Sequence, residues 1–230
     1  MRIINFIPAL TLGLLISLSS NAQKKTENID FSKLMKDIAI TKASTHEIEA
    51  AIWMPTIYWE VVARDNPNFT TEVVEQIKSL VDDYVIVCYV KTKLNDNTLS
   101  FEPILGSALR KKLVLEFNEK SYKPLYYNDL PDDVQKIKDI LEPMFSKMLG
   151  ELGSGMNVLF FEVKDREGNN LIDPSKNGSF SLKYEESLIT YNLPLPSLCE
   201  DKICKTDDVI FPGNYVFCPF HGTKLEVVKE

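Results

Sequence analysis

Residues 84–90 are Tyr84, Val85, Ile86, Val87, Cys88, Tyr89 and Val90, a run of β-branched and aromatic side chains with no polar position to mark a solvent face. Side chains alternate sides along a strand, so a strand of this composition needs apolar cover on both faces or nearly so. Within it Cys88 reads as a small buried core residue.

The stretches around this strand change period. Phe31, Leu34, Met35 and Ile38 recur at three- and four-residue spacing and predict a short amphipathic helix. Ser44 and Glu47 have the form of a capping box, which predicts a helix over 45–53 limited by Pro55. Asn66-Pro67-Asn68 is turn chemistry, and Thr70 suits the N-cap of a helix carrying Val73, Val74, Ile77, Leu80 and Val81 on one face. A turn at Asn95-Asp96-Asn97 and short strands over 99–101 and 113–117 follow, while Pro124 demotes 122–127 to an edge or a connector. Pro131 with Asp132 and Asp133 opens a helix whose apolar face is Val134, Ile137, Leu141, Met144 and Met148. Pro143 predicts a kink or two shorter helices, and Gly150, Gly153 and Gly155 end the pattern.

Residues 158–163, 180–184 and 188–191 predict a β-meander, with turns at Glu167-Gly168-Asn169 and Asn177-Gly178. Separate helices together with antiparallel meanders argue for an α+β fold with a mainly antiparallel, β-sandwich-like core, not a parallel doubly wound sheet. Pro194 and Pro196 form an extended exit. They divide the chain into an α+β domain over 23–196 and a small tail over 197–230.

The tail carries the chemistry. Cys199, Cys204, Cys218 and His221 are spaced C-x4-C-x13-C-x2-H. Four such ligands in two close pairs, parted by about a dozen residues, are what a closed tetrahedral Zn²⁺ site requires. A disulfide is the competing reading, and full pairing of the four cysteines would have to draw in Cys88. Cys218-Pro219-Phe220-His221-Gly222, followed by Thr223, Lys224 and Leu225, resembles the C-terminal knuckle of zinc ribbons. The resemblance implies a β-hairpin around Pro212-Gly213-Asn214, with 215–217 leading into the knuckle and a structural zinc. Trp53-Met54-Pro55, Tyr122-Lys123-Pro124-Leu125 and Phe160-Phe161 resemble uncharacterised exported bacterial proteins that end in the same kind of knuckle; that likeness implies no activity.

Compartment and partners follow from the first residues and the charge. Arg2, an apolar run over 3–18, and Ser20 and Ala22 at the −3 and −1 positions form a secretory signal over 1–22, so the mature protein is expected to be secreted or periplasmic. The run is shorter than a spanning helix and holds a proline, so no membrane span is expected after cleavage. The formal net charge is −7, and loss of the leader removes one more base; nucleic acid is an unfavoured partner for such a surface. Hydrolase signatures are missing, and His46 reads as a solvated residue. Asp82-Asp83, Asp132-Asp133, Glu185-Glu186 and Asp207-Asp208 read as solvated faces or turns. The Asp165–Asp173 stretch lacks the glycine of a calcium loop and reads as a hairpin turn. Trp53, Tyr58 and Trp59, and Tyr122, Tyr126 and Tyr127, read as core, with a ligand platform as the alternative. Two functions remain: a non-enzymatic exported module that binds a protein or glycan partner, and an exported hydrolase, with glycans as a candidate substrate class, using carboxylates that the sequence does not single out. Intact mass of the exported protein should show cleavage after Ala22 with Gln23 as the new N-terminus; a retained leader would indicate a signal anchor instead.

Overall fold

The computed structural model describes residues 26–64, 70–95, 97–98, 100–104 and 106–228. The signal segment, the turn at Asn66-Pro67-Asn68 and Asp96 lie outside the described residues. In chain order the elements are α1 (Phe31–Ile38), β1 (Ala39–Ala43), β2 (Glu47–Trp53), α2 (Thr56–Arg64), α3 (Thr71–Val81), β3 (Val85–Asn95), β4 (Ser100–Pro103), α4 (Gly106–Lys112), β5 (Val114–Phe117) and β6 (Lys120–Tyr122). They continue with α5 (Asp132–Leu149), α6 (Glu151–Ser154), β7 (Asn157–Phe161), β8 (Gly178–Tyr184), β9 (Ser187–Leu193), β10 (Lys202–Ile203), β11 (Ile210–Phe211) and β12 (Glu226–Val227). The fold is α+β with three antiparallel sheets.

Strand β3 organises the body. It pairs with β2 along one side and with β7 and then β4 along the other. Val85, Val87 and Tyr89 face a cluster shared with Phe180, Leu182 and Tyr191 of the β6-β5-β8-β9 sheet. Ile86, Cys88 and Val90 face a second cluster with Val134, Leu141 and Phe145 of α5. The result is three layers, helix on sheet on sheet, with β3 in the middle one. Trp53 on β2 fills the interval between the sheets. Its ring meets Phe180 edge-on at 4.9 Å and Tyr191 at 5.8 Å.

Polar groups are buried with partners. The Glu49 carboxylate accepts from Tyr89 Oη at 2.5 Å and from the Ser187 hydroxyl of β9, and Lys91 lies 3.6 Å away. This ties the two sheets together across the core. Burial and the Glu49 hydrogen bond push the Tyr89 phenol up, so it stays a donor. Helix α5 covers the open edge of β7 with side chains: Glu142 accepts the Val158 N–H at 3.1 Å, and Lys138 pairs with Glu142 and donates to the Val158 carbonyl at 3.3 Å. Leu125 adds a backbone bond to Phe160 O, so the segment after Pro124 serves as a connector that closes the same edge.

Four expectations are corrected. Residues 47–53 form strand β2, not a helix, because Ser44 caps a hairpin turn: its hydroxyl accepts the His46 and Glu47 N–H groups while Ser44 N bonds Glu47 O at 2.8 Å. Of the two readings of Pro143, the division into two shorter helices is not found: α5 runs through Pro143 as one element, and the interruption falls at Gly150, whose φ is +60°. Its buried face is Val134, Lys138, Leu141 and Phe145, whereas Met144 and Met148 are exposed. The meander is divided: β7 pairs with β3, and only β8 and β9 form a hairpin, which turns at Glu185 with φ +52°. Trp53→Ala should destabilise the body by about 3–5 kcal/mol in denaturant unfolding, and Ile140→Ala, on the exposed face of α5, should stay within about 0.5 kcal/mol.

Candidate metal centre

The tail buries little apolar surface of its own. Its buried cluster is Cys204, Phe211, Cys218 and Leu225, and its strands β10, β11 and β12 are two residues each, in the order β11-β10-β12. Two hairpin loops rise from this small sheet. The first, over 204–209, joins β10 to β11; the second, over 218–223, is closed by the Phe217–Lys224 bridge and by Leu225 N to Val216 O at 3.0 Å. Pro212 and Tyr215 close a turn between them, so the expected hairpin around Pro212-Gly213-Asn214 is instead a connection between two loops.

The loops bring three of the four expected ligands together. Cys204 Sγ and Cys218 Sγ lie 3.5 and 3.4 Å from His221 Nδ1, and all three ligand atoms are within 4.8 Å of one another. Zinc bonds of about 2.3 Å to sulfur and about 2.0–2.1 Å to nitrogen, set at the tetrahedral angle, put S and N about 3.5 Å apart. The two observed edges match that value. Soft thiolates with one imidazole also match the ligand chemistry of zinc. Burial works against ionisation of Cys204, but hydrogen bonds from the Thr206 backbone and the Thr223 and Thr206 hydroxyls, together with His221, outweigh it and bring the thiol down to about 7. A thiol poised this way gives up its proton readily to a metal.

Cys199 does not join this group. It is buried one turn after Pro196, and its Sγ is directed to Leu195 O at 3.7 Å. Gly213 packs against it so closely that an added Cβ would sit 2.4 Å from Cys199 Cβ. Its position ties the Pro212 turn to the start of the tail. None of the four cysteines is disulfide-bonded, and Cys88 lies in the helix-side core beside Met54 Sδ at 3.3 Å. Burial pushes the Cys88 thiol up, so it stays protonated.

The remaining candidates have structural partners. His46 is exposed in the β1–β2 turn. Trp53 and Trp59 are buried core residues, while Tyr126 and Tyr127 are exposed. Asp165 folds its own turn, accepting the Glu167 and Asn169 N–H groups. A groove of about 630 Å³ is lined by Glu60, Asp82, Asp83 and Asp173. Each of these acids is engaged: Glu60 with Lys78 at 2.7 Å, Asp82 with Thr56 at 2.7 Å, Asp83 with Lys164 at 2.7 Å, and Asp173 with Ser175 and Lys176. Burial opposes ionisation of Asp173, but Ser175 and Lys176 hold it below the usual carboxylate range, the reverse of what a general acid needs. No helix among the described residues is long and apolar enough to cross a membrane.

Comparison of the chain with protein-family models, with curated proteins and with solved structures gives no match in any of the three. The site is therefore read from its own geometry. If the cluster holds a metal, Cys218→Ser should weaken its binding by more than about 100-fold in a chelator competition, beyond what loss of an outer partner costs. Cys199→Ser, whose hydroxyl can still donate to Leu195 O, should leave the affinity unchanged.

Proposed function

We propose that the protein is an exported, non-enzymatic binding or structural module whose tail is held in shape by a structural zinc on Cys204, Cys218 and His221. The observation that carries this reading is the placement of His221 Nδ1 at 3.4–3.5 Å from two cysteine sulfurs, the spacing of ligands on one tetrahedral ion. A disulfide between Cys204 and Cys218 would leave that imidazole without a role. The scale of the tail supports the same reading. Four buried residues and two-residue strands are too small a core to order a chain segment, and a metal supplies the missing folding energy.

Binding is favoured over catalysis by what the tail displays. Phe217 and Phe220 are 58% and 77% exposed beside the ligands, with Ile210 and Val216 also at the surface. Aromatic groups held outward by a rigid scaffold are typical of contact surfaces for a protein or glycan partner. The export signal over 1–22 supports a secreted or periplasmic location, and the acidic balance opposes nucleic acid.

Metal analysis of the full mature protein tests the reading. About one zinc per chain is expected, and chelation should expose the tail to protease. Both tryptophans, Trp53 and Trp59, lie in the body, so their near-ultraviolet dichroism should survive chelation. Protein that takes up neither Zn²⁺ nor Co²⁺ when reduced, with a tail equally resistant before and after chelator, would falsify the zinc reading.

A further inference from the structure

The two loops of the tail are the same loop built twice. In the first, Cys204 N bonds Val209 O at 3.0 Å and Asp208 N bonds Cys204 O at 2.8 Å. In the second, Cys218 N bonds Thr223 O at 2.8 Å and Gly222 N bonds Cys218 O at 2.8 Å. The residue four places after each cysteine has positive φ: +57° at Asp208 and +67° at Gly222. Backbones that agree in both hydrogen bonds and in this dihedral present the same side-chain positions. The ligand His221 stands three residues after Cys218. Three residues after Cys204 stands Asp207.

From this repeat the geometry points to Asp207 as the fourth ligand, closing the shell as two thiolates, one imidazole and one carboxylate. The assignment rests on the zinc reading above. Asp207 Oδ2 lies 3.8 Å from His221 Nδ1, where oxygen and nitrogen on one tetrahedral zinc would stand about 3.4 Å apart. Asp207 lies outside the group whose ligand atoms are all within 4.8 Å of one another, so closure takes a rotation of its carboxylate toward the sulfurs. The other oxygen, Oδ1, already accepts the Val209 N–H at 3.2 Å, which holds the side chain in the loop and leaves Oδ2 for a second partner.

The nitrogen that Asp207 approaches separates a ligand from a supporting group. A carboxylate that merely orients a metal-bound histidine takes the ring N–H on the side away from the metal. Asp207 approaches Nδ1, the same nitrogen that faces both sulfurs. It therefore stands on the metal side of the ring. Cys199, the alternative by spacing, is directed elsewhere, and the Thr223 hydroxyl at 3.6 Å from Cys204 Sγ is a hydrogen-bond partner and not a customary zinc ligand.

Cobalt titration of the full mature protein tests this, with the tryptophan dichroism confirming a folded body in each variant. Asp207→Asn keeps an oxygen for the Val209 N–H and removes the carboxylate, so it separates a ligand from a turn-former. Asp207→Asn and Asp207→Ala should both weaken Co²⁺ binding by more than about 100-fold and alter its visible bands, more than an outer partner is worth. Asp207→Cys should retain tight binding and add thiolate-to-cobalt absorption in proportion to a third sulfur. If Asp207→Asn and Asp207→Ala bind Co²⁺ as tightly as the parent with unchanged spectra, the fourth position is not Asp207, and the zinc reading stands without it. A parent protein that takes up no cobalt overturns both.

Discussion

On β3 every side chain from Val85 to Thr92 is buried, and both of its faces are apolar over the first six residues. Such a strand specifies its own burial strongly and its register weakly, because a slip by one residue exchanges one apolar set for another. The polar contacts remove the ambiguity. Glu49, itself buried on β2, needs the Tyr89 hydroxyl and the nearby Lys91, and both lie on the same face of β3. A one-residue slip would turn Tyr89 and Lys91 toward α5 and leave the carboxylate without either, a loss of several kcal/mol for a buried charge. One carboxylate thus pins a strand that three layers share.

The tail is solved by different physics. The body can spread its apolar surface over two clusters, whereas the tail has too few residues to exclude water by packing. Its order has to come from a few strong, directional links. Some are polar: Asp37 accepts the Ser197 N–H at 2.7 Å, and Lys33 pairs with Asp201 at 3.2 Å, so α1 holds the point where the tail departs. Beyond Cys204 the proposed metal site, where two thiols and an imidazole converge, would take over that task and leave aromatic residues free to face outward.

The sequence was most legible where one signal acted alone. The apolar run of β3 and the three-and-four spacing of α1 were read correctly from the residues, and the Cys218-to-His221 spacing pointed to two side chains that the fold does bring together. It was least legible where the same residues serve two local structures. Ser44 followed by Glu47 satisfies a helix cap and a hairpin turn equally, and the choice lies with β3, which supplies a partner for residues 47–53. Pro143 weakens a helix, yet α5 is held on either side of it by Leu141 and Phe145 in the core and by Glu142 on β7. Packing on the sheet outweighs the missing hydrogen bond. The Glu49–Tyr89–Ser187 link joins residues far apart in the chain and had no sequence signal.

The cysteine spacing shows how a motif can be recognised in one half and misread in the other. Counting cysteines pairs Cys199 with Cys204 across four residues, while counting loop geometry puts the proposed ligands at the first position of each loop and three residues later. The second rule also explains the neighbouring residue. A loop of this shape needs its fifth position at positive φ, which Gly222 takes freely and Asp208 takes with little penalty, since short polar side chains tolerate that region. The pair Asp207-Asp208, read as a solvated face or a turn, does lie in a turn and there divides into two tasks. Asp208 bends the backbone, and the bend directs Asp207 toward the same ring nitrogen that both cysteines face. The acid pair in the first loop and the histidine-glycine pair in the second are chemically unlike, but the backbone treats them alike.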